Sequence, residues 1–260
     1  MKKYVNNNTG TVNSGDNLQG RFIDRFDVLL LDMGNTFMFG ADRFDSSDNP
    51  YKTYLEFGGK SLNSEKVSQI LRDVFLELLA DGKIPENYEK PRPVSGYLKR
   101  HPFAASIPLD ELDLLGKVFT EHEIGTIPEK YIDIIKQLST THRLGIVSDI
   151  WSQSDRFYQE LEKAGIREYF EVIVFSSDIG IIKPSPKIFF KALEAMDTDI
   201  SKVVYIGDSF RRDVIGAKNF GISVIWINNG KQTNTMTEIQ PDLTISDLQD
   251  VLEASRILDH

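Results

Sequence analysis

The sequence contains no cysteine, so disulfides and thiolate metal sites are both excluded, and redox chemistry gives no clue to compartment. It also lacks any basic excess. Thirty Lys and Arg stand against 39 Asp and Glu, for a formal net charge of −9. A duplex nucleic-acid binder needs a net basic footprint, and this chain has none. No apolar run approaches the ~18–20 residues that span a bilayer. Behind the two N-terminal lysines there is no apolar segment, so residues 1–21 do not read as a secretory leader. Their Asn, Gly and Ser content predicts a mobile arm, since little in it repays the entropy of ordering. His122 and His142 stand too isolated in the sequence to read as metal ligands. No repeat is found. The resulting expectation is a soluble, cytoplasmic chain without nucleic-acid or membrane partners and of unknown oligomeric state.

What is present is a recurring alternation. Phe26 to Leu31 is a short apolar run that ends abruptly at Asp32, the pattern of a buried parallel strand. Similar runs are Leu144–Val147 into Ser148, Val172–Phe175 into Ser176, Val203–Ile206 into Gly207-Asp208, and Val224–Ile227 into Asn228. Leu243–Ile245 is a weaker case. Helical periods lie between them. One begins with Pro128 at its first position, one opens at Asp155 and closes at Gly165, one opens at Pro186, and Arg212–Phe220 closes at Gly221. Alternation of this kind predicts an α/β fold with a doubly wound parallel sheet, whose strand ends converge on one crevice. Residues 42–123 break the alternation. Two helical stretches, after Asn63 and after Pro108, flank a proline-rich connector from Pro85 to Pro108, and together they predict a small helical lid. The expected division is an arm at 1–21, a core at 22–41 and 124–260, and a helical cap at 42–123.

Four clusters carry candidate chemistry. Asp32 sits at the mouth of the first strand, followed by Gly34, Asn35 and Thr36. Ser148 and Asp149 end the second. Lys183-Pro184 precedes a helix, where the lysine can offer a fixed charge to two anions. Asp208 and Asp213 flank a strand-to-helix junction behind Gly207, an oxygen-only donor set that suits Mg²⁺. Each cluster taken alone has an ordinary alternative: Asp, Asn and Ser cap turns and helices, and most lysines are simply solvated.

Taken in order, the clusters resemble the haloacid dehalogenase superfamily, most firmly through Gly207-Asp208-Ser209 with Asp213 and Gly216-Ala217, and Lys183-Pro184 upstream. The resemblance implies a helical cap inserted after the first motif and a Mg²⁺-dependent phosphatase acting on a small phosphorylated substrate. Asp32 would be the nucleophile that forms an aspartyl-phosphate. Asp32, the Gly34 carbonyl, Asp208 and Asp213 would serve the metal, with Asp213 orienting Lys183 or a metal-bound water. Ser148 and Lys183 would stabilise the phosphoryl oxygens, and Asn35, Thr36 and Asp149 would help to hold substrate. One departure stands out. Phosphatases of the superfamily usually carry a second Asp two positions after the nucleophile, where this chain has Gly34. Asp149 is the candidate to replace its proton transfer. Dehalogenase relatives usually place Tyr there, and phosphonate hydrolases place Ala and recruit a cap lysine, for which Lys60 and Lys66 were available. A binding or regulatory protein with a retired site is the remaining alternative. In the cap, Lys90, Arg92, Lys99, Arg100 and His101 are candidates for a second anionic group, and Tyr54, Phe57 and Tyr97 for stacking a ring, with solvation and core packing as the ordinary readings.

Overall fold

The computed structural model describes residues 20–45, 47–230 and 238–253, so most of the expected arm lies outside the described residues. In chain order the elements are β1 (Val28–Leu31), α1 (Pro50–Glu56), α2 (Ser64–Asp81), α3 (Val94–Arg100), α4 (Leu109–Glu123) and α5 (Glu129–Ser139). There follow β2 (Arg143–Ser148), α6 (Asp155–Lys163), β3 (Phe170–Phe175), α7 (Ser176–Ile179) and α8 (Pro186–Met196). The chain closes with β4 (Val203–Gly207), α9 (Ile215–Phe220), β5 (Ser223–Ile227) and β6 (Leu243–Ile245). All six strands are parallel, in the order β3-β2-β1-β4-β5-β6. This is the predicted doubly wound α/β sheet.

Strand alternation divides the apolar residues between two cores. Leu29 and Leu31 of β1, with Val204 and Ile206 of β4, join Ile134, Leu138, Phe157 and Leu161 of α5 and α6 on one face. Val28, Leu30, Val203 and Tyr205 face the other way, onto Ile188, Phe189 and Ala192 of α8 and Ala217 of α9. Both faces of the sheet are thus covered, which is why its strands are apolar throughout. β1 pairs with β2 through Leu31–Ile146 and with β4 through Leu31–Ile206. The order of the strands reverses at β1, so Asp32 emerges at the switch point, where such sheets open a crevice.

Helices α1 to α4 form a third apolar cluster of their own, including Tyr54, Ile70, Val74, Tyr97 and Leu115. Asn63 caps α2, its side chain accepting from the Lys66 N–H, as the sequence predicts. Two details differ from expectation. The proline-rich connector contains a helix, α3, because the stretch between Pro93 and Pro102 is free of proline and Val94, Tyr97 and Leu98 supply an apolar face for α4. Pro128 stands one position before α5, as its N-cap, rather than inside it. The two passages between insert and sheet are pinned. Phe39 and Thr126 exchange backbone hydrogen bonds of 2.8 and 2.7 Å, and Asp42 donates its N–H to the His122 carbonyl at 2.8 Å. Gly125 allows that approach, because a Cβ there would lie 2.4 Å from the Phe39 carbonyl oxygen. Among the described residues no helix is long and apolar enough to cross a membrane.

Candidate active site

The ends of β1, β2 and β4 and the loop before α8 meet around one ammonium group. Lys183 is almost fully buried, and its Nζ donates to Asp32 Oδ1 at 2.9 Å, Asp213 Oδ1 at 2.7 Å and the Tyr205 hydroxyl at 2.8 Å. Tyr205 in turn donates to the Val147 carbonyl at 2.8 Å. Burial opposes the charged lysine, but the carboxylates of Asp213, Asp32 and Asp149 outweigh it and hold the group protonated far above neutrality. Ser148 Oγ donates to the same Asp32 Oδ1 at 2.8 Å. The Ser209 N–H donates to Asp213 Oδ2 at 2.7 Å, so both oxygens of Asp213 are held from within the fold. Burial also pushes the Asp213 carboxyl upward, against the pull of Lys183.

Gly207 makes this packing possible. A Cβ there would stand 2.5 Å from Asp213 Oδ2 and 2.6 Å from its carboxyl carbon. Gly216 does the same for the Lys183-Pro184 loop, since a Cβ would meet the Pro184 Cα at 3.1 Å. Asp149 ties the loops after β2 and before α8 together, its Oδ1 accepting from the Lys183 backbone N–H at 2.9 Å. Its side chain is almost wholly buried, with Arg212 3.8 Å away, and burial raises its pKa.

Asp32, Asp208 and Asp213 are all buried, and one oxygen from each lies within 4.8 Å of the others. The donor set is oxygen only, which suits a hard divalent cation such as Mg²⁺. The charge balance agrees. At the strand ends the carboxyl groups of Asp32, Asp208 and Asp213 cluster beside the single ammonium of Lys183, so acidic groups outnumber cations within this cluster. A divalent ion is the compensation this geometry calls for.

A cavity of about 320 Å³ opens over the strand ends. Asp32, Gly34, Asn35, Ser148, Asp149 and Lys183 line it, as the sequence predicts for a shared site. Asn35 adopts a left-handed backbone at φ 54°, a conformation Asn tolerates, and its N–H donates to the Met38 carbonyl at 2.8 Å. Thr36 is not brought to the cavity wall. It is buried in the turn after Asp32, so the expectation that it touches substrate finds no support in the geometry. The basic stretch of the cap is also elsewhere: Arg100 pairs with Glu77 at 2.6 Å, and Arg92 lies 3.7 Å from Asp81. Tyr54 and Tyr97 are core residues, as their ordinary reading held, while Phe57 is 42% exposed and lies off this cavity. Lys60 and Lys66 do not line the cavity, whereas Lys83 does.

Several residues in and around the cavity escape a reading of the sequence. Tyr205 looks like one more strand residue, and only its burial beside Lys183 gives it a role. Glu123, the last residue of α4, lies more than twenty residues from any recognised cluster. It accepts N–H bonds from Trp151 at 2.6 Å and Ser152 at 2.9 Å, and burial pushes its pKa up to about 7 despite them. Arg43, Lys83 and Arg211 also line the cavity, from three separate segments.

Residues 110–227 match the family model described as haloacid dehalogenase-like hydrolase. A pyrimidine 5'-nucleotidase of Escherichia coli is 37% identical over 92 residues, and a glyceraldehyde 3-phosphate phosphatase of Pyrococcus abyssi is 34% identical over 87. These stretches cover 35% and 34% of this chain, and the chain spans only 40% and 36% of the two relatives. The fold extends further. A HAD phosphatase structure from Thermococcus onnurineus superposes with a TM-score of 0.59 at 24% identity, covering 89% of this chain and all of the other. A 2-haloacid dehalogenase from Pseudomonas syringae gives a TM-score of 0.60 at 21% identity, covering 87% and 98%.

Proposed function

We propose that the chain is a haloacid dehalogenase-like hydrolase and, within that family, a magnesium-dependent phosphatase acting on small phosphorylated metabolites through an aspartyl-phosphate on Asp32. The observation that carries this reading is the meeting of Asp32, Asp208 and Asp213, with carboxylate oxygens within 4.8 Å of one another and Lys183 bonded to Asp32 and Asp213. Ser148 and Lys183 both donate to Asp32 Oδ1, so Oδ2 is the oxygen available to attack phosphorus. A bond forms from that oxygen to phosphorus as the bond to the leaving oxygen breaks, and the leaving oxygen takes up a proton. Water then cleaves the acyl phosphate and restores Asp32. Asp32, Asp208 and the Gly34 carbonyl would hold Mg²⁺, which supplies charge neutralisation so that carboxylate and phosphate can approach. Ser148 and Lys183 are set to receive the phosphoryl oxygens as negative charge shifts onto them. Asp213, with both oxygens held by Lys183 and the Ser209 N–H, positions the lysine. Residues 42–123 act as the cap that closes over the leaving group. A cytosolic site of action, without nucleic-acid or membrane partners, belongs to the same proposal.

The proton for the leaving group is the weak point, since Gly34 carries no carboxyl. Asp149 lines the cavity with a pKa raised by burial, which keeps it in this role as a proposal. Unchanged turnover of an alkyl phosphate by Asp149→Asn would remove it. The test of the main reading is hydrolysis of p-nitrophenyl phosphate, whose leaving group needs little protonation. Turnover that needs Mg²⁺ and disappears in Asp32→Asn is expected, and turnover unaffected by either would refute the mechanism. A second reading, carbon–phosphorus cleavage through a cap lysine, is favoured by Lys83 alone. Borohydride trapping with a phosphonate aldehyde would reveal it.

A further inference from the structure

Three cations on the cavity wall are not used by the phosphatase chemistry. Arg43 comes from the passage into the helical insert, Lys83 follows the end of α2, and Arg211 lies in the turn after β4. Among the described residues none of the three is paired with a carboxylate. Arg211 donates instead to neutral acceptors, the Gly82 carbonyl at 2.9 Å and the Tyr88 hydroxyl at 3.0 Å, which hold its guanidinium against the insert. The acids at this end of the cavity are already engaged. Asp42 bonds the His122 ring, and Glu123 takes the N–H groups of Trp151 and Ser152. In a chain of net charge −9, where Arg92 and Arg100 of the same insert find acidic neighbours, three cations left without one around a single cavity form a local positive field.

We propose that the leaving group of the substrate carries a second anionic group, a carboxylate or a further phosphate, and that Arg43, Lys83 and Arg211 bind it while the strand ends hold the transferred phosphoryl group. This rests on the phosphatase reading and deepens it. Phe75, Leu79 and Trp151 also line the cavity, and such apolar surface screens the field of the cations less than water does. A planar guanidinium suits carboxylate and phosphate alike, and the shared chemistry is the negative charge with its paired oxygens. The transferred phosphoryl group does not need these three residues, because Lys183, Ser148 and the acidic cluster surround it already.

The test uses matched pairs in which only the distal group changes. One pair is 3-phosphoglycerate against glycerol 3-phosphate, and the other is fructose 1,6-bisphosphate against fructose 6-phosphate. With Mg²⁺ present, kcat/KM for the member with two anionic groups in at least one pair is expected to exceed its partner by about tenfold or more, mostly through KM. Preference confined to the first pair identifies a carboxylate, and to the second a phosphate. The ratio should fall about tenfold in an Arg43→Gln, Lys83→Gln double variant and stay constant in Lys99→Gln, which lies off the cavity. Calorimetric binding of the same four compounds to Asp32→Asn reads the cation subsite without turnover. Equal affinity and equal kcat/KM within both pairs, or a preference that survives the double substitution, overturns the proposal. Failure to hydrolyse p-nitrophenyl phosphate or any of the four would instead sink the phosphatase reading, and the calorimetric preference would still decide the subsite.

Discussion

Replacing Gly34 with Asp restores the carboxyl that phosphatases of this superfamily usually carry, and the structure allows it. A Cβ built at Gly34 meets nothing within 4 Å, and the residue is not among the glycines with left-handed backbone. The added Cβ therefore introduces neither a clash nor backbone strain, and the loss of glycine freedom in the unfolded chain offsets part of any electrostatic cost. The new carboxyl would stand two positions from Asp32, beside the buried carboxyl groups of Asp208 and Asp213, which disfavour a further negative charge, while a bound divalent ion would offset part of that bias. A carboxyl at this position is suited to protonate a leaving oxygen. Positioned acid–base catalysis is worth ~10²–10⁴-fold, or about 3–5 kcal/mol of barrier. If Asp149 already supplies part of it, the gain is smaller, about 10–10²-fold. The assay compares kcat for glycerol 3-phosphate, an alkyl ester, with that for p-nitrophenyl phosphate. Gly34→Asp should accelerate the first by one to two orders of magnitude, as estimated above, and the second by little. A folded variant that binds Mg²⁺ and leaves the alkyl ester rate unchanged, or slows both substrates equally, would refute the reasoning.

Further outcomes follow from the same geometry. Adding Mg²⁺ to about a hundred times its Kd should stabilise the metal-free protein by about 2.7 kcal/mol, a rise in Tm of roughly 5–10 °C. Asp208→Asn should remove most of that rise, and an equal rise in the variant would argue against the site. Gly207→Ala forces a Cβ to within 2.5 Å of Asp213, so it should displace the anchor of Lys183. An expected cost of about 1–3 kcal/mol in urea unfolding, together with a loss of turnover, checks this. Glu123 is held near pH 7 by burial, well above its unfolded value of 4.5, so the folded state keeps a proton that the unfolded state releases. Stability should therefore fall as pH rises from 4.5 to about 7, by up to about 3 kcal/mol. Glu123→Gln should flatten that slope, with little effect at pH 4.5 and a gain at pH 8. A Tm difference between variant and wild type that does not change across this range would contradict it.

The strands were legible because a parallel sheet covered on both faces must be apolar along its whole length, and each run ended at a polar residue. Leu243–Ile245 is assigned identically from sequence and structure, and the others agree to within two residues at each end. Helix α3 was hidden by the prolines at either end of its segment, which mark boundaries but say nothing of the residues between them. At the candidate site, Asp32, Ser148 and Asp208 were visible because each stands at the end of a strand, Asp213 because it lies at the strand-to-helix junction after β4, and Lys183 because it precedes Pro184 in the loop before α8. Thr36 shared that local signal and yet turned inward, because the tight turn from Met33 to Met38 buries it.

Local pattern and motif order, then, determined the α/β class, the positions of the strands, the helical insert and the carboxylates at the strand ends. Only tertiary structure could decide which distant charges meet. Lys183 finds Asp32 across 151 positions and Asp213 across 30, while Arg43, Lys83 and Arg211 gather without carboxylate partners among the described residues. Pairing depends on distance and desolvation in three dimensions, neither of which is carried by spacing along the chain. The basic stretch at residues 90–101 was a candidate for a second anion, with solvation as its ordinary reading, and the fold supplied Arg92 and Arg100 with acids while leaving other cations to the cavity.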